Sequence, residues 1–159
     1  DVYKRQDIVS LSSDCDGILL SNGPGDPAKP QLLLKNLREL LKSEKPIFGI
    51  CLGCQVLALA AGFKTYKLPY GHRSSNQPVV DCTTQKGYIT SQNHGFAVAE
   101  ESLPPNWRVT YRNANDGTVE GVAHHELPYF GVQFHPEASP GPTDTAFLFD
   151  KFLELARMR

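Results

Sequence analysis

The sequence predicts an α/β fold with a doubly wound, mostly parallel central sheet and helices on both faces. Three observations point to it. The chain has 159 residues, the size of one domain, and 40% of them are hydrophobic, enough for one continuous core. Its front half alternates strand, helix, strand, helix, the order that parallel pairing through crossover helices produces. Its front helices are apolar on one face or nearly throughout, as layers packed on a sheet must be.

The elements follow in chain order. Asp1-Val2-Tyr3-Lys4-Arg5-Gln6 matches the in-frame translation of a common transposon-end sequencing adapter, so residues 1–6 are set apart and 7–159 is read as one partial domain. Gly17-Ile18-Leu19-Leu20 predicts a short buried strand that runs into the tight turn Asn22-Gly23-Pro24-Gly25-Asp26-Pro27. Leu32, Leu33, Leu37, Leu40 and Leu41 recur at helical spacing with Lys35, Arg38, Glu39 and Lys42 between them, an amphipathic helix. Pro46-Ile47-Phe48-Gly49-Ile50 predicts a second buried strand, and 52–61 a helix rich in Ala and Leu that ends at Gly62. From Lys64 to about Val132 short β-like runs alternate with turns: 79–82, 88–91, 96–98, 107–112, 119–124 and 129–134, with Asn115-Asp116-Gly117 a turn signal. Thr143-Asp144 is expected to cap a last helix whose apolar face is Phe147, Leu148, Phe152 and Leu155.

Composition excludes several classes. With 16 basic and 17 acidic side chains there is no electrostatic case for nucleic acid or an anionic membrane, and no apolar run approaches a bilayer span. Cys15, Cys51, Cys54 and Cys82 are irregularly spaced and no leader precedes them, so reduced thiols in the cytoplasm are expected. Cys51 and Cys54 form a C-x-x-C, but no second pair completes a zinc site, and no residue is assigned to a metal.

The chemistry lies in two motifs. Gly49-Ile50-Cys51-Leu52-Gly53 sets a cysteine between a strand and a helix with a glycine two residues away on each side, the nucleophile-elbow pattern. The flanking glycines let the chain turn sharply, and the helix N-terminus favours a thiolate. Downstream, His135-Pro136-Glu137 puts an imidazole and a carboxylate at a strand end, which can supply a base and the group that orients it. Alone, the first motif is about equally compatible with a buried cysteine in an ordinary strand-to-helix connection, and an H-x-E by itself more often marks a core histidine beside a surface glutamate.

Together, Gly49-Ile50-Cys51-Leu52-Gly53-Cys54-Gln55 and His135-Pro136-Glu137 resemble the class I glutamine amidotransferases, over essentially all of 7–159. Within that family, residues 21–27, Tyr70-Gly71-His72-Arg73, 90–98 and 136–142 resemble the small, glutamine-hydrolysing subunit of carbamoyl-phosphate synthetase. The resemblance implies a flavodoxin-like sheet whose first βαβ unit is missing here. It also implies that Cys51, His135 and Glu137 are catalytic. Backbone N–H groups of Leu52 and Gly25 would stabilise the oxyanion, and Gly23, Gly25, Leu52, Gln55, Asn93, Gly95 and Phe96 would hold L-glutamine. Asn93 and Gly95 are expected in a loop.

No cofactor is expected in this chain, since it has no phosphate-cradling G-x-x-x-x-G-K-[ST] loop. ATP and magnesium would belong to a large synthetase partner that receives ammonia through an internal tunnel. A separate N-terminal domain of the family, absent here, would add a serine to glutamine binding. Cys54 departs from the family's usual histidine and is expected to pack behind the elbow, while His72, His94, His124 and His125 are expected to be structural, surface or interface residues. Two other readings stay open: a glutaminase component for anthranilate, aminodeoxychorismate or GMP synthesis, and a non-catalytic cysteine-elbow α/β protein.

Overall fold

In the computed structural model, which describes residues 12–139 and 141–158, seven strands form one sheet. They are β1 (Ile18–Leu20), β2 (Ile47–Ile50), β3 (Lys64–Asp81), β4 (Gly87–Ala99), β5 (Trp107–Asn113), β6 (Val119–His124) and β7 (Tyr129–Val132). Among the described residues three α-helices accompany them: α1 (Gln31–Leu40), α2 (Leu52–Ala61) and α3 (Phe147–Arg157). The adapter reading of residues 1–6 lies outside the described residues.

The strand order is β1-β2-β7-β6-β4-β3-β5, and β5 pairs back onto β6. The expected mostly parallel sheet is therefore corrected. Only β1–β2 and β2–β7 run parallel, while β3–β4, β3–β5, β4–β6, β5–β6 and β6–β7 are antiparallel. The reason is connectivity. A parallel pair needs a crossover such as α1, and between α2 and α3 the described chain offers no further α-helix, so these strands turn back on their neighbours. Pairings β3–β4, β4–β6, β6–β5 and β5–β3 close a ring of four strands beside the short parallel sheet.

A second correction concerns Lys64–Ser74, which the sequence left without a strand. It forms the front of β3, with Lys64 opposite Ala99 and His72 opposite His94. The segment does not alternate apolar and polar, and Pro69 and Gly71 read as breakers; both fall where the register shifts between Lys67 and His72. Likewise 88–91 and 96–98 are one strand, β4, so Asn93 and Gly95 lie in a strand and not in the expected loop. β7 stops at Val132, short of Phe134.

The core has two parts. On one face α1 and α2 bury Leu33, Leu37, Leu52 and Leu57 against Ile47, Val98, Val122 and Tyr129. On the other, Phe48, Phe130, Val132, Phe134 and Leu148 pack with Phe149, Phe152 and Leu155 of α3. The Phe48 and Phe130 rings stack with centroids 4.4 Å apart. Thr143 and Asp144 do not cap α3 by a side chain: its N-cap is Ala146, and the Asp144 carboxylate accepts from the Ile89 N–H at 3.2 Å, tying the helix approach to β4. No helix among the described residues is long and apolar enough to cross a membrane.

Candidate active site

Cys51 follows β2 and is the N-cap of α2, with φ 52° and ψ −107°. A non-glycine residue seldom takes such a backbone, and the surroundings hold it there. Its N–H donates to Val132 O at 2.8 Å, and its carbonyl accepts the first helical bond, from Gln55 N–H at 3.2 Å. The glycines on either side are required sterically. A Cβ on Gly53 would lie 2.0 Å from Leu20 O, and one on Gly49 would lie 2.6 Å from Gly53 O. Helix geometry leaves the first amides of α2, Leu52 among them, without intrahelical partners.

His135 reaches the same place from the far end of β7. Its backbone N–H donates to Ser91 O at 2.9 Å, fixing the loop against β4, and its Nδ1 lies 2.7 Å from Glu137 Oε1. Hydrogen bonds to Cys51 and then to Glu137 push the His135 pKa up to about 10, outweighing burial, which lowers it. Burial raises the Glu137 carboxyl, but the hydrogen bonds from His135 and from its own backbone outweigh that and leave it below its ordinary value.

These elements enclose a cavity of about 410 Å³. Cys51 and His135 line it, together with Gly23, Gly25, Leu52, Gln55, Asn93, Gly95 and Phe96. Glu137 stands behind His135 and is not part of the wall. Gly25 has φ +104°, and a Cβ added there would meet nothing within 4 Å, so its glycine answers to backbone conformation more than to space. Gln55 donates its side-chain amide to Phe96 O at 2.8 Å and to Gln133 Oε1 at 2.9 Å.

Sequence reasoning passed over three wall residues, Asn22, Pro24 and His94, and one neighbour, Gln133. The Gln133 amide nitrogen lies 3.7 Å from Cys51 Sγ, while Asn93 O lies 3.9 Å from the same sulfur. Gln133 was detectable in principle, since residues two apart at a strand end share a face, and His135 is two residues on. Cys54 is buried with its sulfur 2.9 Å from where a Cβ on Gly131 would sit, so it does pack behind the elbow. All four cysteines are free, and burial, then the neighbouring Cys51, pushes the Cys54 thiol pKa up, away from redox reactivity.

Known proteins resemble the chain over most of its length. The family model for glutamine amidotransferase class-I matches residues 2–155. The carbamoyl phosphate synthase small chain of Methanocaldococcus jannaschii is 59% identical over 140 residues, 88% of this chain and 39% of that protein. The multifunctional protein CAD of Squalus acanthias is 53% identical over 153 residues, 95% of this chain and 7% of that protein. The chain thus spans about two fifths of the small-chain relative and a small part of CAD. Among solved structures, a Thermoplasma acidophilum protein described as a GMP synthase component superposes with a TM-score of 0.81 at 22% identity, covering 94% of this chain and 76% of that one, a likeness of fold.

Proposed function

The chain belongs to the class I glutamine amidotransferase family, and on that premise we propose that it hydrolyses L-glutamine to glutamate and ammonia through a cysteinyl thioester, for carbamoyl phosphate synthesis. The observation that carries this reading is a cysteine on a strained strand-to-helix bend, in one cavity with an imidazole whose far nitrogen meets a carboxylate.

The Cys51 thiolate attacks the side-chain amide carbon, and the C=O electron pair moves to oxygen. N–H groups of Leu52 and Gly25 receive that oxyanion, each such donor contributing about 100- to 1,000-fold in rate. His135, holding the proton taken from the thiol, delivers it to the amide nitrogen as the C–N bond breaks and ammonia leaves. Water then adds to the thioester with His135 as base, releasing glutamate and restoring the thiol. Glu137 holds the imidazole and stabilises its charged form. Gly23, Gln55, Asn93, Gly95 and Phe96 supply contacts to the two ends of glutamine.

Ammonia that escapes becomes ammonium in bulk water, so the product must pass under cover to a large synthetase partner, and ATP and magnesium belong to that partner. The identity to small-chain relatives, and to CAD, supports carbamoyl phosphate as the destination. The test is ammonia release from glutamine by the chain and its Cys51→Ser variant, with and without a carbamoyl-phosphate synthetase large subunit. The variant is expected to lose more than about a thousandfold in kcat while keeping its melting temperature. Glutamine turnover that survives Cys51→Ser would sink the reading.

A further inference from the structure

Behind the pocket wall lies a buried polar cluster that the mechanism above does not use. It draws on every strand of the closed ring: His72 from β3, Gln92 and His94 from β4, Asn113 from β5 and Glu120 from β6, with Asp116 from the β5–β6 turn. Glu120 is fully buried, and its Oε2 has no hydrogen-bond partner among the described residues. Such a carboxylate is costly unless something of opposite charge holds it.

The hydrogen bonds fix where that charge resides. Thr90 donates its hydroxyl proton to Gln77 O at 2.8 Å, so its oxygen accepts from Gln92 Nε2 at 3.1 Å. Gln92 Oε1 is thereby turned towards both imidazoles, 3.0 Å from His72 Nδ1 and 3.0 Å from His94 Nε2. His72 Nδ1 also faces Glu120 Oε1 at 3.0 Å, and its Nε2 faces Asp116 Oδ2 at 2.9 Å. Asn113 Nδ2 donates to Gln77 Oε1 at 3.3 Å and Glu120 Oε1 at 3.4 Å. His72 Nδ1 also lies 3.4 Å from Asn113 Nδ2. What sets His72 apart is a carboxylate at hydrogen-bond distance from each ring nitrogen, where His94 meets only the uncharged oxygens of Gln92 and Phe96. Paired carboxylates favour the charged imidazole.

The cluster continues to the reacting sulfur. His94 Nδ1 lies 2.8 Å from Phe96 O, the carbonyl that also takes the Gln55 amide at 2.8 Å. Gln55 bonds Gln133, whose amide touches Cys51 Sγ. The His72 and His94 rings meet edge to face with centroids 4.8 Å apart. Gly71 makes the approach possible: at φ +69° it carries His72 against β4, where a Cβ would lie 2.5 Å from His94 O.

We propose that His72, as an imidazolium clamped between Asp116 and Glu120, is a positioning residue that fixes Gln92 through Phe96 as the glutamine-binding wall. The hydrogen bond to Glu120 leads in pushing the His72 pKa up to about 9, while burial pushes His94 down to about 4. Burial also raises the Glu120 carboxyl, and the hydrogen bond from His72 is the chief influence holding it down. His72, His94 and Glu120 also offer ligand atoms within 4.8 Å of one another, a spacing open to a metal ion, but the imidazolium already supplies the positive charge.

The inference rests on the glutamine reading, and its test separates the two. Nitrogen NMR of histidine-labelled protein at pH 7 is expected to show His72 protonated on both nitrogens and His94 neutral. In labelling by a diazoketone analogue of glutamine, His72→Asn is expected to raise the half-saturating concentration about ten- to a hundredfold with little change in the limiting rate. Alkylation of Cys51 by iodoacetamide should stay at the wild-type rate. Glu120→Gln should lie between the two proteins. A neutral His72, a stoichiometric metal ion on the cluster, or unchanged analogue affinity in His72→Asn overturns the proposal. The spectrum needs no variant, so it decides the matter even if His72→Asn does not fold. Wild-type Cys51 that reacts with iodoacetamide but not with the analogue defeats the glutamine reading instead.

Discussion

Cys51 adopts a backbone that costs about 1–3 kcal/mol at a non-glycine residue, and the fold around it holds that strain in place. The sequence carries this plainly, because Gly49 and Gly53 have no room for a side chain, and a cysteine between two such glycines marks a sharp bend that presents a thiol. Gly131 is less legible. It lies in a strand with no motif around it, yet a Cβ there would meet Cys54 Sγ at 2.9 Å and Cys54 Cβ at 3.0 Å. Gly131→Ala is expected to destabilise the protein by about 1–3 kcal/mol through overpacking behind the elbow. The urea midpoint measures this, and Gly131→Ala,Cys54→Ala should recover part of the loss. No recovery would mean that the two residues do not share the space as described.

At the scale of elements, the parallel half was readable and the antiparallel half was not. β2, α1 and α2 each announce themselves through apolar runs or 3.6-residue spacing, because each buries a whole face. β1 is read the same way, although the strand expected to be buried is only partly so, with Leu19 exposed. β3 does not. Its front half mixes exposed lysines and Tyr70 with Pro69 and Gly71, and its order comes from pairing with β4, which a reading of local sequence does not see. That gap also explains why Asn93 and Gly95 were expected in a loop. The two functional motifs were nevertheless found, since their residue types are dictated by chemistry and not by pairing. The layer between β2, β7 and α3 depends on Phe48, which is fully buried, stacks on Phe130 and meets Phe149 edge on. Phe48→Ala is expected to cost about 3–5 kcal/mol. Chemical denaturation would check it, and a loss under about 1 kcal/mol would show that α3 is not anchored there.

For the whole molecule, the histidines define a pH window. His94 is neutral in the fold, its pKa held near 4 by burial against 6.5 when free, so below about 6.5 the unfolded chain takes up a proton that the folded chain refuses. Stability therefore falls as pH drops from 6.5 towards 4, and the lowered Glu137 and Asp116 act in the same direction. His72 and His135 behave oppositely. Their values are raised to about 9 and about 10, so their contribution is complete below 6.5 and is lost as pH rises through those values. A maximum of melting temperature near pH 6.5, falling on the acid side towards about 4 and on the alkaline side up to about 9, is expected from scanning calorimetry. His72→Asn should make the fall between about 6.5 and about 9 shallower, and an unchanged fall there would assign it elsewhere.

The ring formed by β3, β4, β5 and β6 has a consequence for how the molecule assembles. β3 and β4 meet across one short turn, whereas β2 must find β7 from the opposite end of the chain, with Ile47 beside Tyr129. Closing distant segments is the slow step of a fold, so the hairpin ribbon forms early and the Cys51–His135 encounter waits for the last long-range pairing. A nascent chain then carries Cys51 without its histidine neighbour until the surrounding architecture is complete.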